Sequence, residues 1–235
     1  MIMKPICFIA ARGGSKGVPK KNIRIIAGKP LIAHTVEASL GSKIFSHVVV
    51  STEDDEIASI ARKYGAEIPF SRPKELASDT TGMDEVLLHG INKLYSIDYK
   101  FDVMVNRDCT VPFIRNNDVE GCVKLLEDKQ CDVVFGVYKQ HHNPYFNMME
   151  PNSEGFLRFS KSIGKKISSR QEAPTVYQLN GLCVFNCKKF LEYGTIYMPK
   201  ALPYEILPET GLMIDNELEF RIAEMMFQQN FSKSH

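Results

Sequence analysis

Short apolar runs alternate with amphipathic segments along most of the 235-residue chain. Apolar runs bounded by turn residues indicate buried strands, and apolar residues spaced three and four positions apart indicate helices. The predicted strands are residues 6–10, 48–50, 67–70, 103–105, 133–137 and 181–185, and the predicted helices are residues 31–40, 54–65, 80–88, 117–126 and 217–229. Residues 51–54 are predicted to cap the second helix, and Thr80 or Thr81 to start the third. This alternation predicts an α/β fold, with a mostly parallel (mixed) sheet and helices on both faces.

The alternation breaks down between Tyr138 and Ala173, where polar residues, Asn and Pro dominate. A hairpin is predicted there around residues 152–155. We interpret residues 138–173 as a small excursion from the main sheet. Because the chain has no internal repeat and no long linker, residues 1–235 are predicted to form a single domain.

The charge balance excludes a general affinity for polyanions. Lys and Arg number 29 against 28 Asp and Glu, a net charge of +1, so nucleic acid is not predicted as a partner and any anion site must be a local cluster. No run approaches the roughly 20 apolar residues that span a bilayer, and no signal peptide is recognisable. The six cysteines lack zinc-site spacing and lie mostly in apolar runs, which predicts reduced thiols in the core of a cytoplasmic protein.

A glycine-rich loop from Ala11 to Asn22 follows the first predicted strand. Its glycines permit a tight turn, and four cations lie within it: Arg12, Lys16, Lys20 and Lys21. This combination predicts a site for a polyphosphate. The loop is not a Walker A motif, because only three residues separate Gly13 from Gly17, and it contains no GxGxxG fingerprint. The alternative interpretation is a basic surface turn.

The loop resembles the first motif of the acylneuraminate (CMP-sialic acid) cytidylyltransferase family, A-R-x-x-S-K-G-x-x-x-K-N. The similarity continues, in the order of the family, at residues 28–35, 50–53, 72–80, 177–181 and 214–220. The resemblance implies a nucleotide-diphospho-sugar transferase-like fold and an enzyme that uses CTP and Mg²⁺. The implied reaction converts a sialic-acid-like, nine-carbon 2-keto sugar acid into its CMP derivative and pyrophosphate.

The resemblance also implies roles for individual residues. Arg12, Lys16 and Lys21 would grip the triphosphate, and Asn22 and Arg72 would meet the cytosine and ribose. The full candidate nucleotide-binding set is Ala11, Arg12, Gly13, Gly14, Ser15, Lys16, Lys21, Asn22, Arg72, Ser78, Asp79 and Thr80. The candidate sugar-binding set is Asp108, Thr110, His142, Arg170, Gln171, Tyr177 and Asn180. The excursion would pack against a second subunit, so that a homodimer completes each site.

Two aspartates are candidate Mg²⁺ ligands and, with Arg12, Lys16 and Lys21, candidate catalytic residues. Asp108 follows a predicted strand and Asp215 precedes the last predicted helix, positions at which carboxylates can hold a divalent ion. Asp108 replaces the Gln of the family form L-Q-P-T-S-P, as it does in enzymes for legionaminic-acid-like sugars, and Met213 replaces the first Asp of D-I-D-T-E-L-D-F. Because a thioether is a poor Mg²⁺ ligand, we predict a metal site rebuilt around Asp108 and Asp215. The alternatives are a helix N-cap for Asp215 and a turn residue for Asp108.

Several alternatives stay open at this level. The sugar can be of the N-acetylneuraminate, legionaminic or pseudaminic type. The chain can also be a nucleotidyltransferase for another base or a KDO-like sugar, or a nucleotide-binding regulatory module without turnover. Arg170 is a candidate carboxylate clamp or a solvent-facing loop residue. The pair His141–His142 is interpreted as solvated or hydrogen-bonded rather than metal-binding, because adjacent strand residues point to opposite faces and no third ligand stands nearby in the sequence.

Overall fold

Ten strands and six α-helices make up the computed structural model, which describes residues 3–165 and 167–232. The strands are β1 (Ile6–Ala10), β2 (Ile25–Ile26), β3 (Lys29–Pro30), β4 (Val48–Ser51), β5 (Val103–Arg107), β6 (Val133–Lys139), β7 (Met149–Pro151), β8 (Leu157–Phe159), β9 (Tyr177–Asn186) and β10 (Ala201–Glu205). The helices are α1 (Leu31–Ser42), α2 (Asp55–Lys63), α3 (Met83–Ser96), α4 (Asn116–Lys129), α5 (Cys187–Tyr193) and α6 (Glu217–Ser232). Short 3₁₀ turns lie at Lys21–Ile23, Lys74–Ala77, Arg170–Glu172 and Pro208–Gly211.

Six of the strands form the central sheet, in the order β10-β6-β9-β5-β1-β4. Strand β1 runs parallel to β4 and β5, and β10 runs parallel to β6. Strand β9 is antiparallel to both of its neighbours, β5 and β6. The predicted mostly parallel, mixed sheet is therefore confirmed. The carboxyl ends of β1, β4 and β5 lie side by side at one edge, where open α/β sheets bind ligands.

Side chains alternate between two apolar layers, one on each face of the sheet. On one face Phe8 packs with Leu87 of α3 and Phe190 of α5. On the other face Ile9 packs with α1 and α2, and the neighbouring strands pack with Val119 of α4. This alternation is the consequence of the two-residue strand period, and it confirms the prediction of helices on both faces.

Several predicted elements differ from the structure in more than their exact ends. Strand β10 and helix α5 were not predicted, and residues 67–70 contribute only an isolated bridge between Glu67 and Val49. Helix α3 begins at Met83, not at Thr80 or Thr81. The hydroxyls of Ser78 and Thr81 hydrogen-bond to each other, and Thr81 donates to a backbone carbonyl. Such local bonds compete with helix formation.

The chain leaves the sheet after β6 and returns to it at β9. Strands β7 and β8 form an antiparallel hairpin between them, which confirms the hairpin predicted at this place. The cap predicted for α2 is also confirmed, because the Asp54 carboxylate accepts a hydrogen bond from the Ile57 amide. All six cysteines are buried and unpaired. Within the described ranges, no helix has the length and apolar character needed to cross a membrane.

Candidate active site

A cleft of about 360 Å³ lies at the carboxyl ends of β1 and β5. Three segments surround it: the glycine-rich loop after β1, the turn before α3, and the residues that precede α6. Its walls are formed by Ala10, Arg12, Ser15, Lys16, Gly17, Lys21, Asn22, Arg72, Leu76, Ser78, Asp79, Thr81, Met83, Val86, Asp108, Thr110 and Asp215. Most of the residues predicted to bind nucleotide and metal are thus brought to one place.

Close packing shapes the glycine-rich loop. A Cβ atom on Gly13 would lie 2.4 Å from Asp54 Oδ2, and one on Gly17 would lie 1.9 Å from the Asp215 carbonyl oxygen. The contact at Gly17 is with backbone, so this position requires glycine, whereas a side chain at Gly13 would force the Asp54 carboxylate to move. The Gly13 amide donates to Glu53 Oε1 (2.8 Å), and Asn22 Nδ2 donates to the Arg12 carbonyl (2.9 Å). The side chains of Glu53 and Asn22 therefore hold the backbone of the loop, and Arg12 and Lys16 line the cleft.

A buried ion pair supports this loop from β4. The Arg72 guanidinium donates to Glu53 Oε2 (2.7 Å) and to the Ala11 carbonyl (2.9 Å), and the two side chains are only 3% and 13% exposed. Glu53 was not predicted as a site residue. Its position directly after β4, beside the cap of α2, is the signal that could have found it, because strand carboxyl ends line the site.

Each cation on the cleft wall has an oxygen partner. Asp79 Oδ1 lies 2.9 Å from Arg12, and Asp79 Oδ2 lies 2.5 Å from Lys16. Lys21 Nζ donates to the Ile214 carbonyl (2.6 Å) and to Asp215 Oδ1 (2.9 Å). The positive charge of the cleft is therefore balanced by carboxylates that an anionic ligand would have to replace or share.

Asp108 extends from the carboxyl end of β5 into the same cleft. Its Oδ1 accepts a hydrogen bond from the Thr110 amide (2.9 Å), and its carbonyl accepts one from Val111, so it is also the turn residue that the alternative interpretation described. Burial raises the pKa of Asp108, and the negative charge of Asp215 adds to that rise, whereas Thr110 and Lys21 oppose it. Gly181 lies against it, because a Cβ there would be 2.6 Å from the Asp108 Cβ.

Asp215 is not the N-cap of α6, so that alternative is wrong. Asn216 Oδ1 accepts from the Glu219 amide (3.0 Å), and Glu219 Oε2 accepts from the Asn216 amide (3.0 Å), which makes Asn216 the cap in a reciprocal capping box. The Asp215 carboxylate is therefore available to the cleft. Met213 is half-buried and packs instead against the apolar layer that covers α4.

The two carboxylates fit a magnesium ion. The part of the chain that the structure describes holds no group of three or more His, Cys, Asp or Glu residues arranged for a metal. Mg²⁺ in phosphoryl-transfer sites typically uses one or two carboxylates and takes its other ligands from phosphates and water. Asp108 and Asp215 both line the cleft with hard oxygen donors, and they match that donor set.

Comparison with known proteins places the chain in a family. Residues 6–185 match the family model described as cytidylyltransferase. The chain belongs to the cytidylyltransferase family. It is therefore an enzyme of the nucleotidyltransferase class, as the sequence motifs predicted.

Two relatives and one solved structure resemble this cytidylyltransferase along nearly its whole length. The CMP-N,N'-diacetyllegionaminic acid synthase of Legionella pneumophila is 38% identical over 230 residues, which are 97% of this chain and 98% of the relative. The pseudaminic acid cytidylyltransferase of Campylobacter jejuni is 30% identical over 233 residues, with 97% and 98% covered. The structure of CMP:2-keto-3-deoxy-manno-octonic acid synthetase complexed with CTP aligns with a TM-score of 0.74 at 20% identity, covering 97% of this chain and 100% of that chain. This last likeness confirms the predicted nucleotide-diphospho-sugar transferase-like fold.

Most residues predicted to bind sugar lie outside the cleft of this cytidylyltransferase. His142 and Tyr177 line a second, open depression of about 530 Å³ beside the β7–β8 hairpin. Arg170 and Gln171 are exposed on a 3₁₀ turn and line neither depression, and Arg170 approaches His141 Nδ1 at 3.4 Å. Asn180 is buried, and its Oδ1 accepts from the Leu182 amide. Of the predicted sugar-binding set, only Asp108 and Thr110 are at the cleft.

Four predicted nucleotide-binding residues also stay off the cleft wall. Ala11 and Gly13 lie behind it, where they contact Arg72 and Glu53. Gly14 and Thr80 are exposed beside it. The two histidines predicted to be solvated, at positions 141 and 142, are exposed.

Proposed function

We propose that this cytidylyltransferase joins CTP to a nonulosonic, sialic-acid-like sugar acid to give the CMP-sugar and pyrophosphate. One observation carries the proposal: Arg12, Lys16, Lys21, Asp108 and Asp215 line a single cleft at the carboxyl ends of the strands. Three cations in the same cleft as two carboxylates suit a triphosphate with a divalent ion. The relatives named for legionaminic and pseudaminic acids support a sugar of that type.

The mechanism that follows is nucleophilic displacement at the α-phosphorus. The oxygen of the sugar's anomeric hydroxyl attacks and forms a new P–O bond, its proton passes to solvent, and the bond from the α-phosphorus to the bridging oxygen breaks as pyrophosphate leaves. Positioning and charge neutralisation supply most of the rate in such transfers. Arg12, Lys16 and Lys21 neutralise the phosphates, and the Arg72–Glu53 pair keeps their loop in place.

Asp108 and Asp215 would hold Mg²⁺. When bound, the ion would offset negative charge on the phosphate oxygens. The low exposure of Lys21, 12% of its side chain, and its bond to Asp215 keep a cation next to these carboxylates. Asn22 is buried, and its side chain donates to the Arg12 carbonyl and accepts from the Cys109 thiol. Asn22 would therefore shape the nucleotide pocket more than bond to the base.

A homodimer would complete the sugar side of the site. Large apolar side chains project from the β7–β8 hairpin into solvent: Phe156 is 60% exposed, Leu157 58% and Phe159 51%. An exposed apolar cluster of this kind marks an interaction surface. We propose that this hairpin, within the excursion of residues 138–173, packs on a second copy and brings Arg170, Gln171 and Tyr177 near the cleft of that copy.

The remaining assignments follow the same reasoning. We propose that residues 1–235 act as one cytidylyltransferase domain, because the sheet spans the described chain from β1 to β10. The six buried free thiols support a cytoplasmic location, since a reducing compartment preserves them. Neither nucleic acid nor membrane is a proposed partner.

Pyrophosphate release tests the proposal directly. The protein is assayed with CTP, ATP, GTP and UTP against legionaminic, pseudaminic, N-acetylneuraminic and KDO-type acids, with and without Mg²⁺. We expect release only with CTP, Mg²⁺ and a nine-carbon acid. Turnover with KDO alone would favour the alternative sugar, and CTP binding without any release would favour a regulatory module.

A further inference from the structure

Asp79 bridges two of the cations that are proposed to hold the triphosphate. Its two carboxylate oxygens are divided between them, with Oδ1 at 2.9 Å from Arg12 and Oδ2 at 2.5 Å from Lys16. All three side chains line the same cleft. Asp79 therefore presents to this pair what a phosphate group would present: two anionic oxygens, each accepting from a separate cation.

We propose that Asp79 is an internal competitor for the polyphosphate, which holds Arg12 and Lys16 between turnovers and takes them back as pyrophosphate leaves. The proposal rests on the proposed function, which places CTP in this cleft. A triphosphate that takes the Arg12 and Lys16 donors now bonded to Asp79 displaces its carboxylate, because Oδ1 is bonded to Arg12 and Oδ2 to Lys16. The cost of displacing Asp79 then lowers the net affinity of the protein for the polyphosphate.

The exposure of these side chains makes the exchange feasible. The side chains of Asp79, Arg12 and Lys16 are 43%, 36% and 80% exposed, and exposed ion pairs are weak. The Arg72–Glu53 pair behind the loop is buried, so the same ligand would not exchange it. The cleft therefore has one ion pair that would persist when the ligand binds, Arg72 with Glu53, and one that would exchange, Asp79 with its two cations.

The charges on the neighbouring segment support the competing role. A hydrogen bond from Lys16, together with Arg12, lowers the pKa of Asp79, so the carboxylate is ionised at neutral pH. Arg12 Nη1 also approaches the Ala77 carbonyl at 3.4 Å, which keeps the segment around Asp79 next to the loop. When pyrophosphate departs, an ionised carboxylate on this segment is in place to recapture both cations. Product release, which limits many enzymes, would then be faster than without it.

Binding of inorganic polyphosphates to the intact protein tests this role without any sugar or turnover. Isothermal titration calorimetry gives Kd for tripolyphosphate and pyrophosphate with the wild type, Asp79→Asn and Asp79→Ser. The matched control is Glu56→Gln, which removes a carboxylate paired with Lys20 at 2.7 Å on the outer side of the loop. Thermal melting establishes that all variants are folded.

We expect both Asp79 variants to bind tripolyphosphate and pyrophosphate about two- to tenfold more tightly than the wild type, the range that weak exposed pairs allow. Glu56→Gln should stay within twofold of the wild type. Unchanged or weaker binding in the Asp79 variants would overturn the proposal, since Asp79 would then orient the cations rather than compete. Equal tightening in Glu56→Gln would also overturn it, as a general charge effect. If tightening occurs but CTP gives no product with any sugar, the proposed function fails and the competition stands.

Discussion

The cleft and the β7–β8 hairpin differ in the range of the contacts that hold them together. In the cleft, contacts join residues far apart in sequence, such as Lys21 with Asp215 and Arg72 with Glu53, and one chain satisfies its own charges. The hairpin makes mainly local hydrogen bonds, for example from the Glu154 amide to Asn152 Oδ1, and exposes its apolar side chains. The difference agrees with the proposal that one chain forms the nucleotide half of the site and that a second chain completes the sugar half.

The largest expected effect is at the carboxylates. Asp108→Asn and Asp215→Asn should each lower kcat on the order of a hundredfold or more, because charge stabilisation dominates phosphoryl transfer. Pyrophosphate release at saturating Mg²⁺ measures this. Asp55→Asn, which changes an exposed carboxylate at the start of α2, is the control and should keep wild-type activity. Near-normal turnover in either cleft variant would remove that residue from the metal site.

The next largest effect is expected on stability, when the buried ion pair that supports the glycine-rich loop is broken. Arg72→Met leaves Glu53 buried without its cation, and breaking a buried pair typically costs about 3–5 kcal/mol of unfolding free energy. Urea unfolding measures it. The matched variant Arg24→Met breaks an exposed pair with Glu217, and such pairs contribute about 1 kcal/mol or less. Equal losses in the two variants would contradict the distinction between buried and exposed pairs.

Acidic substitutions on the hairpin should impair the sugar half of the site and leave the nucleotide half intact. We expect Phe156→Asp and Leu157→Glu to raise the dimer dissociation constant by roughly thirtyfold or more, the effect of losing a central apolar contact. Turnover should fall at concentrations where the variants are monomeric, while Kd for CTP stays unchanged. Analytical ultracentrifugation and calorimetry measure the two quantities. A monomeric variant with full turnover would show that one chain suffices.

The smallest effect is expected at Met213. Because its side chain packs in the apolar layer over α4, Met213→Leu conserves volume and should cost less than about 1.5 kcal/mol. Turnover and its dependence on Mg²⁺ concentration should stay within twofold of the wild type. A large change in the Mg²⁺ dependence would mean that Met213 contributes to the metal site.

The sequence allowed the fold to be predicted where a pattern is local. Strands such as β1 and β5 are apolar runs, and α2 begins at a recognisable cap. Strand β10 was missed because it contains Pro203 and is only half buried at an edge of the sheet, where proline is tolerated. The antiparallel direction of β9 was beyond prediction, since an apolar run has no direction.

The site could be predicted only for residues that lie within recognisable sequence motifs. The loop from Ala11 to Asn22 showed where the cations lie, but their partners depend on long-range folding. The pair of Glu53 with Arg72 is one such contact, and the cap of α6 by Asn216 in place of Asp215 was decided by Glu219 three residues further on. The predicted sugar-binding residues of the excursion could not be joined to the cleft, because His142, Arg170 and Gln171 lie away from it.

A crystal structure of the protein with CTP and Mg²⁺ would show whether the cleft holds the nucleotide. We expect the triphosphate against Arg12, Lys16 and Lys21, with the ion between it and Asp108 and Asp215, and with Asp79 released from its two cations. Nucleotide bound elsewhere, with these side chains still paired as they are in the present structure, would contradict it.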